Sequence, residues 1–278
     1  MEAKEKKHLQ EMARKIRVDI VEMLCSAGSG HSGGSLSIAD VFAYLYFSDK
    51  FKLGPEHKNS LDRDRVVLSK GHACPVLYAS LAEAGYFDKS HLSTLRKYGS
   101  ILQGHPDMKK TPGVEITTGS LGQGLSCAVG MALGARLDGL ICRVIAIVGD
   151  GECDEGQIWE AAMSAAHYRL DNLTVIVDKN GLQIDGYTKD VMNTEPMADK
   201  WASFGWEVAE IDGHDFDQID SVLGTARNAN GKPLCIVADT VKGKGVSFME
   251  GQCEWHGKTP GLEEKEKALC DICGIESD

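Results

Sequence analysis

The chain has 278 residues, of which 42% are hydrophobic, so it is long enough to bury the core of one large domain or two small ones. Its formal net charge of -11 argues against general nucleic-acid binding, which needs a basic surface. No apolar run approaches the roughly 20 residues that a membrane span requires. The nine cysteines are scattered, and no apolar signal segment follows the charged start of the chain, so we expect a cytoplasmic protein with reduced thiols.

Hydrophobic periodicity predicts strands that alternate with helices along most of the chain. An amphipathic helix covers residues 3 to 27, and a glycine-rich loop with His31 separates it from a second helix that starts at Ser37 and continues through Phe47. The later predicted elements are, in chain order, a strand at 65–69, a helix at 75–84, a glycine loop running into a small-residue helix at 117–134, strands at 143–148, 173–177, 206–211 and 234–239, a helix around 215–228 between the last two strands, and a charged surface helix at 261–273.

The order of these elements predicts the fold class. Strands that alternate with helices imply an α/β fold with a doubly wound, mainly parallel sheet and helices on both faces. No low-complexity segment, internal repeat or Pro/Gly/Ser linker divides the chain. We therefore expect a single domain over residues 1–278, with a helical extension near 261–273 at its C-terminal end.

Two polar motifs follow neighbouring predicted strands. Asp150 lies between Gly149 and Gly151 directly after one strand, and Asn180 follows the next strand, 30 positions after Asp150. Open α/β sheets place ligands at these carboxyl ends. Asp150, Asn180 and the backbone carbonyl of Leu182 would give a divalent cation hard oxygen ligands, with diphosphate oxygens and water completing an octahedron. The alternative is a plain turn in which Asp150 caps the next helix.

Four further motifs stand outside the metal-binding pattern. They are Gly28-Ser29-Gly30-His31-Ser32-Gly33-Gly34, Gly71-His72-Ala73, Gly104-His105-Pro106 and Thr117-Thr118-Gly119-Ser120-Leu121-Gly122-Gln123-Gly124. Together with the segment from Gly149 to Asn180, they resemble the amino-terminal, thiamine-diphosphate-binding half of transketolase, in the family's order and over most of the chain. The resemblance implies the diphosphate-binding fold of thiamine diphosphate enzymes. It also implies the cofactors thiamine diphosphate and Mg²⁺, for which Ca²⁺ or Mn²⁺ can substitute.

The resemblance implies a set of metal ligands and cofactor contacts. The Mg²⁺ ligands would be Asp150, Asn180 and the Leu182 carbonyl. The cofactor contacts, with a loop beside the thiamine rings, would be His72, Gly119, Ser120, Leu121, Gly151, Glu155, Asn180 and His256. In the family, the glutamate at the position of Glu155 lies near the subunit interface and communicates with the cofactor through the partner. A carboxylate there could also cap helical amides.

Three histidines would line the substrate channel of the resembled enzyme. His31, His105 and His256 would bind sugar hydroxyls and transfer protons while the carbon–carbon bond breaks and reforms. Imidazole suits this work because its ordinary pKa lies near neutrality. Each of the three could instead be an ordinary loop or turn histidine. His214, in Asp212-Gly213-His214-Asp215, is interpreted as part of a turn.

The resemblance also implies a second chain. In the family, a glutamate from a pyrimidine-binding domain activates the aminopyrimidine of the cofactor, and we expect that domain and the C-terminal domain to be absent here. The chain would then be inactive alone and would need a C-terminal transketolase subunit, in an α2β2 assembly. The predicted function is transfer of a two-carbon ketol unit from a ketose, as a phosphate or similar sugar, to an aldose, with no nucleic-acid or membrane partner.

Three alternatives stay open at this point. Another thiamine diphosphate enzyme, such as a deoxyxylulose-phosphate synthase half or a 2-oxoacid decarboxylating component, would share the metal motif. A non-catalytic paralogue would keep the fold and the cofactor site. Finally, Cys253, His256, Cys270 and Cys273 have the spacing of a structural zinc site, which would remove His256 from the sugar channel.

Overall fold

The computed structural model of the chain describes residues 1–224 and 231–275. Its helices are α1 (Ala3–Ala27), α2 (Gly33–Leu36), α3 (Ala39–Phe47), α4 (Cys74–Glu83), α5 (Gln123–Leu137), α6 (Gly156–His167), α7 (Thr188–Val191), α8 (Met197–Ser203), α9 (Phe216–Leu223) and α10 (Leu262–Cys273). Its strands are β1 (Arg65–Leu68), β2 (Val144–Gly149), β3 (Leu173–Lys179), β4 (Leu182–Gln183), β5 (Gly186–Tyr187), β6 (Glu207–Asp212) and β7 (Leu234–Asp239). Short 3₁₀ turns lie at Pro55–His57, Gly71–Ala73, Lys89–Thr94, Gly151–Asp154 and Cys253–His256.

The longer strands form one parallel sheet in the order β1-β2-β3-β7-β6. Gly149 at the end of β2 stands opposite Asp178 of β3, and Lys179 of β3 stands opposite Asp239 of β7. The segments that follow these three strands therefore leave the sheet at the same edge. Near that edge, β4 and β5 form a short antiparallel hairpin directly after β3.

Helices cover both faces of the sheet. Along β2, Ile145 and Ile147 point into one hydrophobic core, which α1, α3, α4 and α9 complete. The alternate residues Val144, Ala146 and Val148 point into a second core, which α5, α6 and α8 complete. This division follows from the period of two in a strand, because a strand buried on both faces must be apolar at every position. The predicted doubly wound, mainly parallel α/β class is confirmed.

Most of the predicted elements lie where the sequence pattern places them. The first helix has the predicted bounds, and each predicted strand differs from its observed bounds by two residues or fewer at either end. The second predicted helix differs, because the chain forms the short α2 before α3 begins at Ala39. Ser37 lies in the break between them, where its Oγ donates a hydrogen bond to the buried Asp178 at 2.5 Å. The helix predicted around 215–228 is observed as α9, and residues 225–228 lie outside the described residues.

The predicted surface helix is α10, which packs against α1. Ala268 is its buried residue, and most of its charged side chains face solvent. None of the helices in the described part of the chain combines the length and the apolarity that crossing a bilayer requires.

Candidate functional site

A cleft lies at the C-terminal edge of the sheet. This is the edge at which open parallel sheets place ligands. Its walls contain most of the residues that the sequence motifs single out. The predicted site residues in its lining are His31, His72, Gly119, Leu121, Asp150, Gly151, Asn180, Leu182 and His256.

The predicted metal ligands follow β2 and β3. The Asp150 carboxylate accepts hydrogen bonds from the backbone N–H of Gly151 at 2.9 Å and of Gly181 at 2.6 Å. Asn180 Oδ1 accepts one from the backbone N–H of Leu182 at 3.2 Å. Asp150 is 4% exposed, and burial, followed by the charge of Asp178, raises its pKa to about 6. A divalent cation here would offset this cost of burying carboxylates.

Asp178 is fully buried and forms an ion pair with Lys70. Ser37 and Thr240 also donate hydrogen bonds to its carboxylate. Lys70 Nζ donates a further hydrogen bond to the carbonyl oxygen of Gly34 at 2.9 Å. Burial alone would raise the pKa of Asp178, but Lys70 and the two hydroxyls hold that pKa below its ordinary value. Asp178 is therefore ionised, and Lys70 stands as a buried cation in the wall of the cleft.

His31, His72 and His256 form a cluster in the cleft. Their ring centroids are 5.2 Å apart for His31 and His72, 5.5 Å for His31 and His256, and 5.1 Å for His72 and His256. Burial, together with nearby cationic side chains, lowers the pKa of His31 to about 4, that of His256 to about 3, and that of His72 well below its ordinary value. All three rings are neutral at pH 7.

Lys242 lies between the predicted metal ligands and the histidine cluster. It is 2% exposed, and burial lowers its pKa to about 8, so it is mainly charged at pH 7. Its Nζ donates a hydrogen bond to the Leu182 carbonyl at 3.1 Å and lies 2.9 Å from Nδ1 of His256. Because an ammonium only donates, Nδ1 of His256 accepts, and the proton of this neutral ring is on Nε2. The Leu182 carbonyl predicted as a metal ligand thus faces a lysine.

Glu152 is a buried carboxylate that ties three segments of the cleft together. It is 3% exposed. It accepts hydrogen bonds from Ser69 Oγ at 2.5 Å, from the backbone N–H of Gly122 at 2.9 Å, and from the backbone N–H of Gly149 at 3.0 Å. These donors lie just after β1, at the start of α5 and at the end of β2. Glu152 therefore fixes the loop of Gly119 and Leu121 against the Asp150 turn.

The remaining predicted residues lie around the cleft but not in its lining. The ring of His105 packs on Gly119, where an added Cβ would lie 3.0 Å from that ring. Gly119 has φ of 146°, so a larger residue would be excluded by both contact and backbone strain. Burial and Arg96 lower the pKa of His105. Ser120 and Glu155 are exposed, and the Glu155 side chain does not cap α6.

The alternative zinc site is wrong. Within residues 1–224 and 231–275, no group of three or more His, Cys, Asp and Glu side chains could hold a metal ion. Nδ1 of His256 faces Lys242, and Cys273 Sγ accepts a hydrogen bond from Arg14 at 3.3 Å. Cys253, Cys270 and Cys273 are free thiols. His256 is therefore available to the cleft.

The residues of the cleft fit Mg²⁺ and thiamine diphosphate. Asp150, Asn180 and Leu182 offer the oxygen ligands that Mg²⁺ prefers. Lys242 and Lys70 are buried cations beside them, as an anionic diphosphate requires. His31 Nδ1 is buried and has no hydrogen-bond partner in the described part of the chain, although a buried polar atom normally has one. The cleft therefore presents donors, acceptors and charge for a polar, anionic ligand.

Two residues of the cleft, Lys242 and Glu152, are not predicted by the sequence motifs. Lys242 follows β7, the strand next to β3, so the rule that locates Asp150 and Asn180 could have found it. No comparable signal distinguishes Glu152 from the neighbouring Asp154, because only the fold shows that Glu152 points inward. The pairing of Lys70 with Asp178 likewise depends on the register of β1, β2 and β3.

Comparisons with known proteins agree with the fold. The family model described as "Transketolase, thiamine diphosphate binding domain" matches residues 7–277. The chain is 50% identical over 264 residues to the 6-deoxy-6-sulfo-D-fructose transketolase subunit SqwG of Clostridium sp. (strain MSTE9), covering 95% of this chain and 96% of that protein. It is 42% identical over 264 residues to an apulose-4-phosphate transketolase subunit of Phocaeicola vulgatus, covering 95% of this chain and 93% of that protein.

Solved transketolases have the same fold over a part of their length. The Campylobacter jejuni enzyme aligns with a TM-score of 0.88 at 33% identity, covering 99% of this chain and 44% of that one. The Leishmania mexicana enzyme aligns with a TM-score of 0.89 at 34% identity, covering 96% and 41%. The chain thus spans less than half the length of these solved transketolases. The chain belongs to the transketolase family and carries its thiamine diphosphate binding domain.

Proposed function

We propose that this chain is the thiamine-diphosphate-binding subunit of a two-chain transketolase, which transfers a two-carbon ketol unit from a ketose to an aldose. The observation that carries the proposal is the juxtaposition of two groups in one cleft. Asp150, Asn180 and Lys242 form a region suited to a metal-bound diphosphate, and the neutral rings of His31 and His256 lie directly beside it. A decarboxylating enzyme has less need of several neutral imidazoles, whereas a polyhydroxylated substrate requires many hydrogen bonds.

The metal of the site is Mg²⁺ in this proposal, held by Asp150, Asn180 and the Leu182 carbonyl. Ca²⁺ and Mn²⁺ also accept oxygen ligands and would serve in its place. Lys242 and His72 bind the diphosphate, and Gly119 and Leu121 bound the space for the rings. When bound, thiamine diphosphate supplies the electron sink for breaking the carbon–carbon bond.

The histidines handle the sugar. A neutral imidazole has one donor and one acceptor nitrogen, so it can donate to a hydroxyl or a carbonyl oxygen and can accept from a hydroxyl. His256 presents Nε2–H, since Lys242 occupies its Nδ1. His31 brings a buried Nδ1 that lacks a partner in the described residues, and His105 lies at the rim next to Gly119. A nearby anionic diphosphate would raise the low pKa values of His31 and His256 toward neutrality, where proton transfer is efficient.

A second polypeptide completes the site in this proposal. It supplies the pyrimidine-binding domain and the activating glutamate, and two copies of each chain form an α2β2 assembly. The subunit-type relatives support this division, because this chain spans 96% and 93% of their length but 44% of a solved transketolase chain. Ser120 and Glu155 are exposed, and in this proposal they face the partner subunit.

The domain organisation and location form part of the same proposal. Residues 1–278 form one diphosphate-binding domain, with α10 as its C-terminal helical extension. The protein is cytoplasmic in this proposal, in keeping with cysteines that form no disulfide within the described residues, several of them buried.

The ketose in this proposal carries an anionic terminal group, either a sulfonate or a phosphate. The names of the two subunit-type relatives support this, since one refers to a sulfofructose and the other to a sugar phosphate. Groups that bind the terminal anion are expected mainly on the partner subunit.

A substrate panel tests the function. The chain is mixed with its partner subunit, thiamine diphosphate and Mg²⁺, and transfer to an aldose acceptor is followed from 6-deoxy-6-sulfofructose, from ketose phosphates and from the unsubstituted ketoses. We expect transfer from an anionic ketose and none from the chain without its partner. Release of CO₂ from pyruvate without ketol transfer would assign the complex to the decarboxylating enzymes. Cofactor binding without turnover of any substrate would make the chain a non-catalytic paralogue.

A further inference from the structure

His214 lies outside the cleft but contacts residues 240–244, the segment that carries Lys242. It follows β6 in a turn, and its side chain is 14% exposed. Its Nε2 lies 2.9 Å from the backbone nitrogen of Val241, and its Nδ1 lies 2.7 Å from Oδ2 of Asp40. Since the Val241 N–H can only donate, Nε2 accepts. The proton of a neutral ring is then on Nδ1, where it is donated to Asp40.

Asp40 and Arg17 hold His214 in this orientation. Arg17 donates to both carboxylate oxygens of Asp40, from Nη1 at 3.0 Å and from Nη2 at 2.5 Å. Asp40 is 6% exposed and Arg17 is 9% exposed. Arg17 Nε donates a further hydrogen bond to the carbonyl of Lys244 at 3.1 Å. The Arg17–Asp40–His214 network is therefore hydrogen-bonded to the Lys242 segment on both sides of Lys242, at Val241 and at Lys244.

The backbone of the Lys242 segment is also held by main-chain hydrogen bonds, in which the Lys242 carbonyl accepts from Gly251 N–H at 3.0 Å and the Val241 carbonyl accepts from Lys244 N–H at 3.1 Å. Thr240 N–H donates to the carbonyl of Lys179, and Gly243 N–H donates to the carbonyl of Gly33, each at 3.0 Å. Between these two anchors, the Val241 N–H bonds to the side chain of His214 rather than to another strand or helix. This peptide directly precedes Lys242 in the chain.

We propose that His214 is a positioning residue of the cofactor site. With Asp40 and Arg17, it fixes the backbone at Val241, so that Lys242 Nζ stands between the Leu182 carbonyl and His256 Nδ1, where it meets the diphosphate. This inference rests on the proposed function, in which Lys242 binds the cofactor. It assigns a role to a histidine that the sequence motif alone places in a simple turn.

The test compares substitutions that remove or restore the acceptor for Val241. His214→Leu removes it, whereas the side-chain carbonyl of His214→Gln can replace Nε2. Tyr44→Phe is the matched control, because it deletes another hydrogen bond of α3, the partly buried one from Tyr44 Oη to Asp220 at 2.6 Å, away from the Lys242 segment. Hydrogen–deuterium exchange of the full chain measures the Val241 region. Calorimetry on the two-chain complex in the presence of Mg²⁺ measures the dissociation constant for thiamine diphosphate.

We expect faster exchange at Val241 to Gly243 in His214→Leu, and a dissociation constant for thiamine diphosphate about 10- to 100-fold higher than in the wild type. The turnover number at saturating cofactor should change by less than the affinity, and His214→Gln should recover most of the affinity. Tyr44→Phe should leave exchange at Val241 and cofactor affinity unchanged. If His214→Leu does not fold, Asp40→Asn takes its place, with the same expected direction.

Unchanged cofactor affinity in a folded His214→Leu chain would overturn the inference, as would an equal loss in Tyr44→Phe or a failure of His214→Gln to restore binding. A wild-type complex that does not bind thiamine diphosphate would instead contradict the proposed function. These two failures are distinct, because the first appears only in the variants.

Discussion

The region of the predicted metal ligands contains two buried carboxylates whose pKa values shift in opposite directions. Asp178 forms an ion pair with Lys70, whereas the Asp150 carboxylate accepts its hydrogen bonds from the backbone N–H groups of Gly151 and Gly181. Burial and the charge of Asp178 raise the pKa of Asp150, and Lys70 holds that of Asp178 below its ordinary value despite burial. Asp150 is therefore the carboxylate that gains most from a bound cation.

Replacing Asp150 tests this assignment at the scale of one residue. Asp150→Asn keeps the shape of the side chain but removes the anionic ligand, so we expect the affinity of the complex for thiamine diphosphate with Mg²⁺ to fall by more than about 100-fold. Asp154→Asn is the control, because Asp154 is an exposed carboxylate in the same turn. Calorimetric titration with and without Mg²⁺ is the measurement. Equal losses in the two variants would mean that the effect is general electrostatics.

The three donors of Glu152 make it sensitive to a minimal change. Glu152→Gln directs an amide NH₂ toward groups that can only donate or that already donate, so a buried N–H loses its acceptor. We expect the free energy of unfolding to fall by about 1–3 kcal/mol. Glu160→Gln, on the exposed face of α6, should change it by less than about 0.5 kcal/mol. Urea denaturation of the isolated chain measures the free energy of unfolding of both variants. Equal stability of the two variants would contradict the role of Glu152 in holding the three segments together.

At this scale, the sequence predicts residues whose position follows from the fold class alone. Asp150 and Asn180 come directly after buried strands, so a parallel sheet places them together without further information. The environment of a side chain, in contrast, does not follow from the fold class. The low pKa of His256 depends on burial and on Lys242, which is 14 positions away in the chain and reaches it from another turn. Spacing in a sequence carries no signal for such a contact.

Helix α5 approaches β1 closely enough to require a glycine. A Cβ on Gly124 would lie 2.6 Å from both Cα and Oγ of Ser69, and Ser69 is also a donor to Glu152. Gly130, in the middle of the same helix, is exposed and has nothing within 4 Å of an added Cβ. Gly124 and Gly130 therefore have opposite roles in the same helix.

Alanine substitutions separate these roles. Gly124→Ala pushes α5 away from β1, so we expect the free energy of unfolding to fall by about 1–3 kcal/mol. Gly130→Ala fills open space and restricts the unfolded chain, so it should raise the free energy of unfolding by about 0.5–1 kcal/mol. Denaturant unfolding of the isolated chain gives both values. A loss of stability at Gly130 as large as that at Gly124 would show that the close approach to Ser69 is not the cause.

Elements with strong periodicity were predictable, and those shaped by tertiary contacts were not. The amphipathic stripe of α1 fixes its bounds, and continuous apolar runs identify β2 and β7. The break before α3 arises because Ser37 bonds to Asp178, more than a hundred residues later in the chain. Likewise, β3 continues through the polar residues Asp178 and Lys179, because β2 and β7 pair with it on both sides. Local hydropathy ends that strand too early.

Across the whole molecule, the buried histidines couple stability to pH. Burial lowers the pKa of His256 to about 3 in the folded chain, against an ordinary value of 6.5. Between these values the unfolded chain takes up a proton that the folded chain does not, so this ring makes the fold less stable as the pH falls below about 6.5. Asp150 acts in the opposite sense, because its raised pKa lets the folded chain keep a proton between about pH 6 and its ordinary value of 3.8.

A substitution of His256 isolates the contribution of this ring to the pH dependence of stability. His256→Asn cannot titrate, so the stability of the variant relative to the wild type should rise by about 1 kcal/mol as the pH falls from 7 to 4.5, a value reduced by the partial exposure of the ring. His167→Asn, at the exposed end of α6, is the control. Urea midpoints at a series of pH values measure the difference. If the difference in stability between His256→Asn and the wild type stayed constant across this pH range, His256 would not be a buried, neutral ring in the folded chain.

The central claim is that this chain holds one half of a thiamine diphosphate site that a second subunit completes. The most direct measurement is the rate of ketol transfer from an anionic ketose while this chain is titrated into a fixed amount of its partner, with thiamine diphosphate and Mg²⁺ in excess. We expect no transfer by either chain alone and a rate that reaches its plateau at equal amounts of the two chains. Transfer by this chain alone, or no transfer at any ratio of two folded and associated chains, would contradict the claim.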